Sequence, residues 1–173
     1  IVANDRNPDR LIPLRANLKR LGVTNTVITR YPGQHFPKRF LFDRVLVDVP
    51  CSAEGTLRAG PSGTLRQSTW ASQKLTRLQR DLLLMAFDLL KVGGTLVYST
   101  CTYSPDENEG AVQFLLEARP AEIQPIAMDL PHSPGLQQWK ETSYDPSIKY
   151  CWRIYPQQID TVGFFMARVN KGS

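Results

Sequence analysis

Short β-branched runs alternate with helical periodicities along most of this chain, and no other feature of the sequence restricts the fold as strongly. "IVAND", "NTVITRY", "RVLVDVP", "TLVYST" and "GFFMARV" have the composition of strands. After the first, "NPDRLIPLRANLKRLGV" sets Leu14, Leu18 and Leu21 at helical spacing and stops at Gly22. After the third, Leu75, Leu78, Leu82, Ala86 and Leu89 mark one face of a long helix that ends before Gly93-Gly94. A parallel neighbour is reached only by a crossover, usually a helix, so strands and helices in alternation predict an α/β fold with a mostly parallel sheet. The "IVAND", "NTVITRY" and "RVLVDVP" strands are expected to be buried.

In open α/β sheets ligands gather at the carboxyl ends of the strands, and Asp5, Asp48 with Cys51, and Cys101 all fall at such ends. Asp5 precedes a helix, where its carboxylate can accept the ribose hydroxyls of a nucleoside cofactor or simply cap the helix. In Asp48-Val49-Pro50-Cys51 the rigid proline restricts the turn and can hold a carboxyl and a thiol over one cleft. Cys101 lies within "VYSTCTYSPDENEGAV", where Ser104-Pro105-Asp106-Glu107 reads as a capping box with Pro at the first helical position. Val112, Leu115 and Leu116 would form that helix's buried face. A helix N-terminus so near Cys101 is expected to lower the thiol pKa and favour the thiolate.

The three cysteines stand far apart without a C-x-x-C pair, and His35 and His132 are the only histidines, so neither a metal site nor a disulfide framework is indicated. Both histidines sit in proline-flanked loop sequence, which disfavours a cysteine hydrolase. Cys151, between Tyr150 and Trp152, reads as a core residue. Lys and Arg exceed Asp and Glu by 21 to 16, a net charge of +5 that favours a polyanionic partner. The aperiodic loop 56–68 carries Arg58 and Arg66 and is the candidate grip for nucleic acid. Residues 119–150 read as loop apart from a short strand in "EIQPIAM". No apolar run is long enough to span a membrane, and "IVANDRNPDR" lacks the layout of a signal peptide. The chain opens in mid-strand without a methionine, so residues 1–173 read as a single, N-terminally incomplete domain of a cytoplasmic, monomeric protein.

"VLVDVPCSAEGTLR" and "GGTLVYSTCTYSPDENE" together resemble the two cysteine motifs of the RNA (cytosine-5) methyltransferases of the Nop/Sun/Fmu type. The resemblance runs from "ANDRNPDRL" through "NLKRLGVTN" to "RIYPQQIDTVGFFMARV". It implies a Rossmann-like methyltransferase fold that uses S-adenosylmethionine and acts on rRNA or tRNA. It further implies that Cys101 is the nucleophile, that Cys51 assists product release, that Asp48 faces both cytosine and cofactor, and that Asp5 holds the cofactor ribose, with Arg10 in support.

The sequence also departs from the family pattern. The family's first strand and glycine-rich cofactor loop would lie upstream of Ile1. Pro32 stands where an acidic residue usually contacts the adenine, and Gln157 and Val162 stand where a His and an Asp are common. Two alternatives follow. A DNA cytosine methyltransferase would use the Pro-Cys thiol of Cys51 as nucleophile and would not need Cys101. A non-catalytic RNA-binding remnant would keep the basic surface alone.

Overall fold

The structure, a computed structural model, describes residues 1–56 and 69–172, and it divides into two compact units, Ile1–Arg39 and Phe40–Ser173. The loop containing Arg58 and Arg66 lies outside the described residues.

The first unit is a strand-helix-strand element: β1 (Val2–Asn4), α1 (Pro8–Arg20) and β2 (Val27–Thr29). The two strands pair in parallel, with Val2 opposite Val27 and Asn4 opposite Thr29. Asn7 starts the helix by accepting from the Asp9 N–H at 2.9 Å. Pro8 then occupies a first-turn position where a missing N–H costs nothing. Lys19 and Arg20 sit at the negative end of the helix dipole, and Gly22 takes a left-handed φ of +68° that ends it. The expected burial of these strands is corrected: Ile1, Val2 and Val27 are exposed.

The second unit follows as β3 (Phe42–Asp48), α2 (Thr69–Asp88), β4 (Leu90–Thr100), α3 (Glu109–Ala118) and β5 (Ala121–Gln124). Then come β6 (Ser133–Pro134), β7 (Gln138–Trp139), β8 (Thr142–Ser143), β9 (Trp152–Ile154), α4 (Pro156–Ile159) and β10 (Phe164–Lys171). The main sheet runs β3-β4-β10-β9-β6, β5 also pairs with β10, and β7 and β8 form a separate ribbon. β3 and β4 are parallel, joined through α2, and their register sets Asp48 opposite Ser99. β10 runs antiparallel to β4, β5 and β9. The α/β architecture is thus present, but its sheet is mixed. Parallel pairing holds where a helix makes the crossover, whereas the C-terminal strands run antiparallel, as short connections permit.

The core packs α2 and α3 on this sheet. Leu83, Phe87, Leu96, Val112, Leu115, Phe165 and Val169 are fully enclosed, each contributing about 1.5–3 kcal/mol. Tyr98 and Phe165 meet edge to face at 6.3 Å. The buried ridge of α2 is Gln79, Leu83 and Phe87; of the expected face Ala86 and Leu89 are buried, whereas Leu75, Leu78 and Leu82 are only half-buried. A polar residue, Gln79, heads that ridge, so apolar spacing alone could not reveal it. β3 is an edge strand with one face on α2, which leaves Leu46 exposed rather than buried as expected.

Candidate active site

Two loops at the carboxyl ends of neighbouring strands build the site. β3 ends at Asp48 and passes through Val49 and Pro50 to Cys51; β4 ends at Thr100 and delivers Cys101. Because the strands are parallel and adjacent, both ends emerge on the same side of the sheet. The Val49 N–H donates to the Ser99 carbonyl at 3.3 Å, which extends the pairing beyond Asp48. The Cys51 and Cys101 sulfurs lie 3.0 Å apart as free thiols. The Cys101 N–H donates to the Cys51 sulfur at 3.3 Å. The Ser99 hydroxyl donates to Asp48 Oδ1 at 3.3 Å, which fixes the carboxylate beside the thiols.

Further bonds stitch the two loops together. Ser52 and Thr102 share a hydroxyl hydrogen bond of 2.6 Å, and the Gly55 N–H donates to the Cys101 carbonyl at 3.0 Å. Gly55 has no room for a side chain, since a Cβ would stand 2.5 Å from the Gly163 carbonyl oxygen and 2.9 Å from that of Cys101. Glu107 Oε2 accepts from the Ser52 N–H at 3.0 Å and from Gln79 Nε2 at 2.7 Å. Gln79 Nε2 also donates to the Pro50 carbonyl at 2.9 Å. Helix α2, the Cys51 loop and the segment after Cys101 thus meet on one buried carboxylate. Among the described residues Gln79 Oε1 is buried without a hydrogen-bond partner, an orphan that costs roughly 1–3 kcal/mol. Flipping the amide would set an oxygen against both the Pro50 carbonyl and the Glu107 carboxylate, so the orphan is the cheaper arrangement.

The segment after Cys101 corrects two expectations. Ser104-Pro105-Asp106-Glu107 is a turn rather than a capping box, with the Ser104 carbonyl accepting from the Glu107 and Asn108 N–H groups, and α3 begins only at Glu109. The Glu107 side chain is drawn away to the Cys51 loop, which is why it does not reach back to cap a helix. With the helix start this distant, the thiol is not driven toward thiolate. Burial, the Cys51 thiol and the Asp48 carboxylate instead push Cys101 up to about 11. Tyr103, stacked on Tyr155 at 5.7 Å, sits beside this loop.

Of the other candidate residues, Asp5 and Arg10 belong to the first unit. Asp5 Oδ1 accepts from the Asn7 N–H at 2.8 Å, and Arg10 Nη1 stands 3.6 Å from Asp5 Oδ2. Asp5 therefore acts at the helix start and keeps a carboxylate at the carboxyl end of β1. Cys151 is fully buried in the core, as its surroundings predicted. The spacing arguments missed the carboxylate brace of Glu107 and the buried pair of Arg153 and Glu109, in which Arg153 Nη2 lies 2.6 Å from Glu109 Oε2. Their signal is present as "DENE" at the end of the Cys101 motif, but the spacing there reads as a capping box that uses Glu107 to cap the following helix.

The family model for 16S rRNA methyltransferase RsmB/F matches residues 1–170. The chain is 39% identical over 178 residues to a 28S rRNA (cytosine-C(5))-methyltransferase of Mus musculus, covering 100% of this chain and 22% of that protein. It is likewise 39% identical over 175 residues to a tRNA (cytosine(49)-C(5))-methyltransferase of Pyrococcus abyssi, covering 99% of this chain and 55% of that one. The solved structure of NSun6 from Pyrococcus horikoshii with SFG superposes with a TM-score of 0.84 at 31% identity, over 100% of this chain and 41% of that chain. The chain thus spans between about a fifth and about half of the length of the relatives it matches. The fold is the α/β Rossmann-like fold of S-adenosylmethionine-dependent methyltransferases. With the family match covering nearly every residue and agreeing with the Nop/Sun/Fmu resemblance of both cysteine motifs, the chain belongs to the RsmB/F family of 16S rRNA methyltransferases.

Proposed function

We propose that the full-length protein methylates C5 of cytosine in RNA, ribosomal or transfer, through a covalent cysteine-C6 adduct. The observation that carries this reading is the meeting of two free thiols from two separate strand ends at 3.0 Å, with Asp48 beside them. The named activities of the mouse and archaeal relatives support the substrate class.

C5 of cytosine is a poor nucleophile until a thiolate adds to C6 and raises electron density at C5. Cys101 is the adding thiol in this reading. Because burial and its neighbours hold it protonated at rest, its proton passes to the Asp48 carboxylate as the sulfur adds to C6. Asp48, protonated by that transfer, donates to N3 and stabilises the enamine that develops on the ring. Cys51, acting as base in its thiolate form, then takes the C5 proton; the freed electron pair restores the C5–C6 double bond as the C6–sulfur bond breaks and Cys101 leaves as thiolate.

S-adenosylmethionine, when bound, supplies the electrophilic methyl carbon for C5. The donor set fits such a group, since Asp5 places a carboxylate at a strand end where it can accept a ribose diol. Arg10 would support Asp5, and Asp48 would face the methyl-bearing side. Residues 1–173 are read as one catalytic domain, with Arg58 and Arg66 contacting the RNA backbone, in a cytoplasmic monomer that needs no metal.

Trapping on a denaturing gel tests the division of labour. Cys51→Ala should accumulate a covalent protein-RNA adduct, while Cys101→Ala and the double mutant should form none. Adduct with Cys101→Ala and none with Cys51→Ala would exchange the roles. Normal turnover by both single mutants would remove the two-thiol mechanism.

A further inference from the structure

Asn108 occupies the N-cap of α3, where an asparagine side chain ordinarily accepts a hydrogen bond from the first turn of the helix, yet it makes no such bond. Its amide is spent elsewhere. Oδ1 accepts from the Thr100 hydroxyl at 2.6 Å, and Nδ2 donates to the Thr102 carbonyl at 3.0 Å. Thr100 and Thr102 are the residues on either side of Cys101. One buried side chain therefore grips the Thr100 side chain before the thiol and the Thr102 backbone after it. The Cys101 backbone is held as well, its N–H by the Cys51 sulfur and its carbonyl by the Gly55 N–H.

From this geometry we propose that Asn108 is a positioning residue for Cys101, a clamp that gives up helix capping to fix the turn from which the thiol projects. The inference rests on the reading of Cys101 as nucleophile. Asn108, Thr100 and Thr102 are essentially without solvent exposure, so none of them can touch RNA or cofactor directly, and their effect must pass through the position of the Cys101 backbone. Misplacing a reacting atom by about an ångström is enough to cost on the order of a hundredfold in rate while leaving binding intact. The clamp also accounts for the order of the motif. A side chain that grips both neighbours of a cysteine has to return to it through a tight turn, and the Ser104–Glu107 turn provides that return.

The test uses the full-length protein. Thr100→Val keeps the shape of the side chain and deletes the hydroxyl that Asn108 accepts; Thr100→Ser keeps the hydroxyl. If the clamp positions Cys101, Thr100→Val lowers kcat for methyl transfer at least tenfold with KM for RNA and for S-adenosylmethionine within twofold, and Thr100→Ser stays within twofold of the parent. Asn108→Ala should lose at least as much, and adding Thr100→Val to it should cost little further, because the Thr100–Asn108 bond is already gone and only the long 3.5 Å bond from the Thr102 N–H to the Thr100 hydroxyl is left to lose. An independent readout is alkylation of Cys101 by iodoacetamide, followed by peptide mass spectrometry. Its rate should change at least threefold in Thr100→Val and not in Thr100→Ser. Parent-like kcat and alkylation in Thr100→Val, or equal losses in both threonine variants, would overturn the proposal. Should the parent protein not methylate cytosine, the proposed function falls, and the alkylation comparison alone decides the role of Asn108.

Discussion

Cys101 rests as a thiol because its surroundings give a negative charge little support: burial comes first, then the Cys51 thiol, then the Asp48 carboxylate. Only the thiolate reacts with an alkylating agent, so a pKa near 11 leaves about one molecule in a thousand reactive at pH 8. Labelling of Cys101 by iodoacetamide should therefore climb with pH from 8 to beyond 10 without a plateau, and a plateau near pH 7 would contradict the assignment. The shift also acts on stability. The folded value is raised above the ordinary 9.0, so the contribution of this thiol is complete below about pH 9 and is lost as pH rises toward 11. That Cys51 and Cys101 come together was legible in the sequence, since both follow strand ends while Cys151 does not. The resting state of Cys101 was not, because it depends on where α3 begins. Four residues that read as a helix start fold instead as a turn, once Glu107 is recruited by the Cys51 loop.

At the scale of elements, α3 is tied to the C-terminal strands by charge rather than by apolar contact alone. Arg153 on β9 donates to Glu109 Oε1 from Nε at 2.7 Å and to Oε2 from Nη2 at 2.6 Å, and Nη1 reaches the Tyr103 carbonyl at 3.1 Å. Both side chains are almost wholly enclosed, and Glu109 Oε1 additionally accepts from the Leu136 N–H at 2.9 Å. Breaking such a pair strands a buried charge, so Arg153→Ala should destabilise the fold by about 3–5 kcal/mol in urea unfolding. Replacing both partners, as Arg153→Met with Glu109→Leu, should recover most of that loss. A double variant no more stable than Arg153→Ala would show that the Leu136 and Tyr103 bonds, rather than the pair, hold the element. The main strands and helices were legible because apolar periodicity reports what the core needs. β6, β9 and the β7–β8 ribbon were not, since they are only two or three residues long and lie in or beside a proline-rich stretch. β9 takes its register from β10 and β6 takes its register from β9, while β7 and β8 pair with each other, and periodicity registers none of these partners.

For the whole molecule, the net charge of +5 suits the polyanion that the proposed function assigns as substrate. The fold class and family were legible because two motifs stand at two strand ends in one order along the chain. The burial of individual strands was not, because whether a strand lies at an edge or in the centre depends on the neighbours it acquires, as the exposed Leu46 of β3 illustrates. The proposal that Arg58 and Arg66 contact phosphate carries its own measurement. Each neutralised phosphate releases condensed counterions, so the logarithm of affinity falls with the logarithm of salt by about 0.7 per contact on single-stranded RNA. Arg58→Ala with Arg66→Ala in the full-length protein should weaken RNA binding and flatten that slope by about 1.4, the sum for two contacts. The loss should be alike for RNAs of different sequence, since phosphate contacts position the chain without reading bases. Fluorescence titrations from low to moderate salt would give the slope directly. An unchanged slope would assign the loop away from the RNA backbone, and a loss confined to one sequence would make these arginines readers of bases instead.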